Sequence, residues 1–194
     1  MTSVVAICNL ALSNIGKNNI ADLNEASAEA RACRQFYEQT RDVLLSVYPW
    51  RFAGRMQSLA QVANDLAGEW SYAYARPTDC LKIRWVQPER RLMEGGAPHH
   101  PYDARAQAIY CDLSPAFLHF TTKDVDVTQF TPLFIEALSS HLAVRLAIPL
   151  TRDPKVRAEA YELAMQMQSL AAVADANEVR ETSDHESEFV TGRG

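Results

Sequence analysis

The residues able to do chemistry are few, so their spacing decides what they can do. His99 and His100 are adjacent, Cys111 and His119 follow, and together they are the richest set of metal-binding side chains. Successive side chains diverge, however, so neighbouring histidines on a loop do not close on one ion. Cys111 and His119 also lie in segments expected to bury alternate residues. Cys80 with His119 and Asp79 has the composition of a thiol nucleophile, its base and its orienter. Yet Cys80 follows the Pro77-Thr78-Asp79 turn as a small apolar residue entering a strand, with no neighbour that marks it as activated. His141 sits mid-helix among Leu138, Leu142 and Val144 and reads as a core or interface histidine. Phosphate-loop, dinucleotide, nucleophile-elbow and zinc-protease motifs are missing from the sequence. The expectation is a protein with no catalytic residue, no cofactor and no metal.

Nucleic-acid chemistry is the other possibility. Tyr72, Tyr74 and Trp85 are spaced to stack bases, but aromatics alternating along a strand more simply pack a sheet face. The net charge is −5, and it is uneven. From Asp175 to Gly194 six acids face Arg180 and Arg193, giving −4, and the remaining 174 residues carry only −1. A nearly neutral body lacks the basic footprint of a DNA-binding protein. The alternative function, a small cytosolic helical protein gripping nucleic acid through its N-terminal helices, suffers from their long connection. A helix-turn-helix uses three or four residues there.

Those residues must be positioned by a mostly helical frame. Val4, Cys8, Ala11 and Ile15 recur at helical spacing behind Thr2-Ser3, with Gly16 at the position of a left-handed cap. A longer helix then buries Cys33, Phe36, Tyr37, Thr40, Leu44 and Val47 and stops at Tyr48-Pro49-Trp50. Arg34, Glu38 and Arg41 on its polar face are the candidate subunit contacts. Thr131-Pro132 opens a third helix, expected to run to Ile148-Pro149 in the centre of the fold. Asp153-Pro154 opens a fourth, whose stripe of Val156, Ala160, Leu163, Met167, Leu170 and Ala174 is expected to be buried. Between the pairs the period drops to two, at Tyr72 to Tyr74 and Leu81 to Trp85, and Ala108–Cys111 with Ala116–Thr122 reads as a hairpin.

The resulting expectation is a mainly α fold, a four-helix bundle-like body with an inserted β-rich segment and a flexible C-terminal tail. Its parts are N-terminal helices 1–51, the insertion 52–127, C-terminal helices 128–180 and an acidic tail 181–194. An apolar content of 47% supplies a core. No apolar run is long enough to announce a membrane span, the first residues lack a signal peptide's charged start, and the scattered cysteines suit a reducing cytosol.

Several stretches, in order, resemble the tail tubular protein A family of short-tailed phages, the head-to-tail adaptors or gatekeepers. They are Ile7 to Gly16, Glu29-Ala30-Arg31, Phe36-Tyr37, Arg41 to Leu45, Pro49-Trp50-Arg51-Phe52-Ala53, Tyr72 to Leu81, Phe134 to Leu138, Leu142 to Ala147 and Ala174 to Glu178. The section from Arg90 to Asp126 carries no such pattern. The resemblance implies a structural, non-enzymatic virion protein, made in the host cytoplasm. Its copies form a dodecameric ring below the portal protein, extend the DNA channel and give the nozzle or another tail protein its platform. Genomic DNA passes without sequence-specific binding, and no membrane is involved. The charge pattern suits that role, because a near-neutral or acidic lumen gives phosphates few cations to hold. The tail, with Phe189 and Val190 as its apolar anchors, is expected to order on docking to the portal.

Overall fold

The computed structural model describes residues 2–89 and 100–178. The first helix, α1 (Val4–Ser13), starts where Ser3 Oγ accepts the Ala6 N–H. It closes with the Gly16 N–H on the Ser13 carbonyl and the Lys17 N–H on the Leu12 carbonyl, which requires the positive φ of 67° at Gly16. Asn9 then holds the returning chain, donating to the Ile20 carbonyl at 3.0 Å and accepting its N–H at 2.8 Å. Ser27 caps α2 (Ala28–Val47), and Pro49 forces Tyr48 into extended backbone and ends it.

Among the described residues seven strands follow. β1 (Gly54–Ser58), β7 (Phe117–Thr122) and β4 (Cys80–Gln87) make one antiparallel sheet in the order β1-β7-β4. The second sheet has the order β2-β3-β6-β5, from β2 (Gln61–Val62), β3 (Tyr72–Ala75), β5 (Tyr102–Ala104) and β6 (Ala108–Cys111). Their inner faces share a core of Leu59, Tyr74, Val86, Ile109, Cys111, Leu118 and Phe120. The hairpin expected from Ala108–Cys111 and Ala116–Thr122 does not form. Both edges of β7 are taken, by β1 and β4, so β6 pairs instead with β3 and β5.

Thr131 caps α3 (Pro132–Thr151) and Asp153 caps α4 (Pro154–Asn177). α3 passes through Pro149 rather than stopping there. The Thr151 hydroxyl donates to the Ala147 carbonyl and the Arg152 N–H to that of Ile148, so the last turn holds and ends at a left-handed Arg152. α1, α2 and α4 all pack on α3. By length and composition α3 could cross a membrane, but half of it is buried, and Phe134, Leu138, Leu142 and Leu146 are fully enclosed.

The expected mainly α four-helix bundle is therefore corrected. Among the described residues 46% are helical and 19% are strand, in two antiparallel sheets, which is a mixed α/β fold. The β segment carries its own core rather than decorating a bundle, and the helices surround one central member.

Hydrogen bonds tie the regions, one of them from Lys82 Nζ on β4 to the Ser46 carbonyl of α2 at 2.8 Å. Asp175, near the end of α4 and 4% exposed, receives the Arg51 N–H on both carboxylate oxygens at 3.2 Å. From β4, Arg84 donates to the Trp50 carbonyl at 2.6 Å and to Thr121 Oγ1 at 3.0 Å. The Trp50 ring is enclosed against Tyr48, Phe52 and Phe134, and its Nε1 donates to the Leu44 carbonyl at 2.8 Å.

Candidate assembly surface

The residues with chemical potential are separated by the sheets. Cys80 pairs in register with Thr122, while His119 lies three residues further along β7, opposite Trp85 and Met56. That places His119 about 10 Å along the strand from the thiol. Asp79 is occupied in accepting the Thr122 hydroxyl at 2.8 Å. Burial pushes the Cys80 thiol up, against the downward pull of the Arg76 guanidinium, which itself donates to the carbonyls of Cys80 and Leu81. Cys111 is enclosed on the other sheet, His100 precedes β5, and His99 lies outside the described residues. Among the described residues no group of three or more His, Cys, Asp or Glu is placed to hold a metal. All four cysteines are free and buried.

The aromatics divide likewise. Tyr72 and Tyr74 belong to one sheet and Trp85 to the other. Tyr74 is buried, with its hydroxyl on the Leu113 carbonyl at 2.7 Å, and Trp85 packs on His119 with ring centroids 3.9 Å apart. His119 is pushed down to about 4, first by burial and then by the Arg84 charge, and its Nδ1 has no partner. No stacking platform results.

The candidate contacts on α2 are mostly engaged internally. Arg34 donates to the Leu23 carbonyl at 3.1 Å and Arg41 pairs with Asp42 at 2.8 Å, while Glu38 stands exposed. Phe189 and Val190 lie outside the described residues, as does the tail 181–194.

What the surface does present is aliphatic. On α2, Val43 and Val47 are 53% and 50% exposed, and on α4 Leu163, Leu170 and Val173 are 36%, 53% and 59% exposed. Val47, Leu163 and Leu170 were all expected inside. The reason lies in how close the helices approach. α4 turns Ala160, Ala164 and Ala171 onto the core, and interaxial distance is set by the side chains at the contact. Small residues bring α4 near α3, and the leucines beside them rotate outward. On α2, Thr40 and Leu44 take the inward positions and leave Val43 and Val47 on one flank. Arg34 and Arg41 fall on the opposite flank of that buried face, about 120–180° round the helix.

These residues form two separate features. Thr40, Val43, Leu44 and Val47 of α2, His141 and Arg145 of α3 and Gln168 of α4 line a groove of about 110 Å³. His141 Nε2 and Gln168 Oε1 lie 2.8 Å apart across it, and burial, as the larger influence, pushes the histidine down. The second feature is the far flank of α4. Glu159, Leu163, Gln166, Leu170, Val173 and Asn177 recur there at intervals of three and four. Leu163 and Leu170 stand about 140–160° round α4 from Gln168, which faces the groove. Exposed aliphatic residues grouped on one helix face make these two features the candidate association surfaces. Sequence reasoning missed both because it assigned aliphatic residues to the core by default. The run of alanines on α4 was the available signal.

No protein-family model and no curated protein matches the chain. Its class rests on fold and surface: a mixed α/β protein with a self-contained β region and two apolar faces on its helical layer.

Proposed function

We propose that this chain is a structural adaptor that assembles head to tail into a ring, the head-to-tail connector of a tailed phage. The observation that carries the reading is the pair of apolar features facing different ways on the helical layer. Two unlike faces on one chain favour heterologous association, which closes into a ring when the rotation per copy allows it. A two-fold dimer needs only one self-complementary face. Among the described residues the sheets hold Cys80 and His119 apart, and Asp79 is engaged by the Thr122 hydroxyl. A body carrying only −1 outside its last twenty residues supports passage of DNA through a ring without retention. The portal protein, a nozzle or tail component and further copies of the chain are the implied partners, and the virion is its place of work.

The test is the mass in solution by light scattering, for the chain alone and mixed with the portal protein encoded beside it. A ring-sized species in either sample supports the adaptor. A monomer in both overturns it, and salt-sensitive retention on DNA in that case favours the nucleic-acid reading.

A further inference from the structure

The groove and the flank are both apolar, and each carries a charged residue without an ion-pair partner among the described residues. The groove is lined by valine, leucine and threonine, and at about 110 Å³ it has room for one aliphatic side chain. Its one formally charged lining residue is Arg145, and no carboxylate lies within ion-pair distance of that guanidinium among the described residues. The far flank of α4 offers leucines at i, i+7 with Val173 beyond, and one turn after Lys155 it carries Glu159, which is exposed and has no ion-pair partner among the described residues. A chain cannot fill its own groove with its own flank, because Gln168 puts the groove on the opposite side of α4 from Leu163 and Leu170. The leucines and Glu159 therefore fit the groove only of another molecule.

Resting on the ring reading above, we propose that the occupant is a second copy of this chain. The Leu163–Leu170 flank of one copy seats in the Val43–Val47 groove of the next, and Glu159 of the first faces Arg145 of the second. The mode is a helix laid into a groove, with aliphatic anchors giving affinity and the charge pair fixing register and direction. Each copy keeps one groove and one flank free for its next neighbour, so the contact propagates until the ring closes.

The experiment is assembly of the full chain, with and without the portal, followed by light scattering on three charge variants. Arg145→Glu and Glu159→Arg each set like charges against each other. Each is expected to raise the concentration at half-assembly about tenfold or more, and the double variant restores it to within about threefold of wild type. Circular dichroism of each variant confirms folding. Val47→Cys combined with Leu170→Cys supplies a second readout. Mild oxidation is expected to produce a ladder of covalent oligomers on a non-reducing gel, which Val47→Cys alone does not give.

A wild-type ring that is unmoved by both charge reversals, with no ladder from the cysteine pair, overturns this contact and leaves the ring reading standing. A wild type that is monomeric with and without the portal overturns both. A ring of wild-type size whose cysteine pair links only after removal of residues 179–194 identifies the tail as the occupant and overturns the proposal.

Discussion

The helical layer and the β region solve the same problem to different degrees. In the β region polar groups are paired locally. Tyr110 donates to Asp65 at 2.7 Å, the Ser71 N–H and hydroxyl both donate to Asp112 at 2.8 Å, and the Thr122 hydroxyl donates to Asp79. Its only large apolar residues at the surface, among those described, are Val62 and Tyr102. The helical layer buries far more, yet it also leaves Val43, Val47, Tyr161, Leu163, Met165, Leu170 and Val173 in the open. A region that can close its own surface and one that does not differ in what they are for. The first closes its own surface, and the second leaves the apolar surface that the proposal assigns to a neighbour.

The strongest way to break that contrast is through the shared ring cluster. Trp50 is fully enclosed and Phe134 lies 5.0 Å from it, so Trp50→Ala removes a large side chain and also orphans the Leu44 carbonyl. Its expected cost is about 3–5 kcal/mol. Phe120→Ala, in the core between the sheets, is expected to cost a similar amount for the same reason. The contrast predicts different company for the two losses. Urea melts followed by near-ultraviolet and far-ultraviolet circular dichroism coincide for both variants if the regions are one cooperative unit. Phe120→Ala giving two separated transitions, with the helices surviving the first, shows that the regions are independent.

A smaller effect tests the tie at Asp175. Asp175→Ala leaves the Arg51 N–H unpaired in a part-buried place, which is expected to cost about 1 kcal/mol. Asp175→Asn retains an acceptor and costs less. Burial holds the Asp175 carboxyl above its ordinary range, so its contribution to stability is full at low pH and is lost as pH rises through the raised value. Asp175→Asn is thus expected to flatten the fall in denaturation midpoint across the weakly acidic range. If Asp175→Ala melts like wild type, α4 is not anchored through this residue.

Helix boundaries were legible because capping is local. Thr131-Pro132, Asp153-Pro154, Gly16 and Tyr48-Pro49 each act within a turn, and each marks an end the structure keeps. The partnership of Asp175 with Arg51 was visible only as two of the stretches on which the resemblance rests, and the fold brings those stretches together. Strand pairing is not local. Nothing between Ala108 and Thr122 announces that β6 and β7 join different sheets, because competition from β1 and β4 decides it. The two-sheet core raised the β region from an insertion to half of a mixed fold, and a periodicity of two cannot show that. On α4 a hydrophobicity rule selects leucine for the interior, whereas close helix approach selects alanine. The exposed aliphatic flank of α4 was hidden by that one substitution of criteria.

A loss of similar size follows from Thr131, whose hydroxyl accepts the Phe134 N–H at 3.3 Å and starts the helix every other helix rests on. Thr131→Ala is expected to cost about 1 kcal/mol, read as a lowered urea midpoint, and Thr131→Ser to restore it. Equal melting of the alanine variant and wild type removes the cap from the account.

The smallest effect probes a buried polar atom of the β region that lacks a partner. His119 packs its ring on Trp85 and leaves Nδ1 buried without a partner. Its folded value of about 4 lies below its ordinary 6.5, so the unfolded chain binds the proton more readily. The neutral ring's contribution is therefore complete above about 6.5 and is lost as pH falls through about 4. His119→Gln is expected to melt within a few tenths of a kcal/mol of wild type at neutral pH, the range of substitutions that empty no core position. The two curves then diverge below about pH 6. His141 is also pushed down by burial, but it lies in the assembly groove, so neighbour docking changes its surroundings and leaves those of His119 alone. Measured at assembling and non-assembling concentrations, the His119 slope stays constant and the His141 slope does not. A His119 slope that changes on assembly places the β region at the contact as well, and the division between a finished region and an open one fails there.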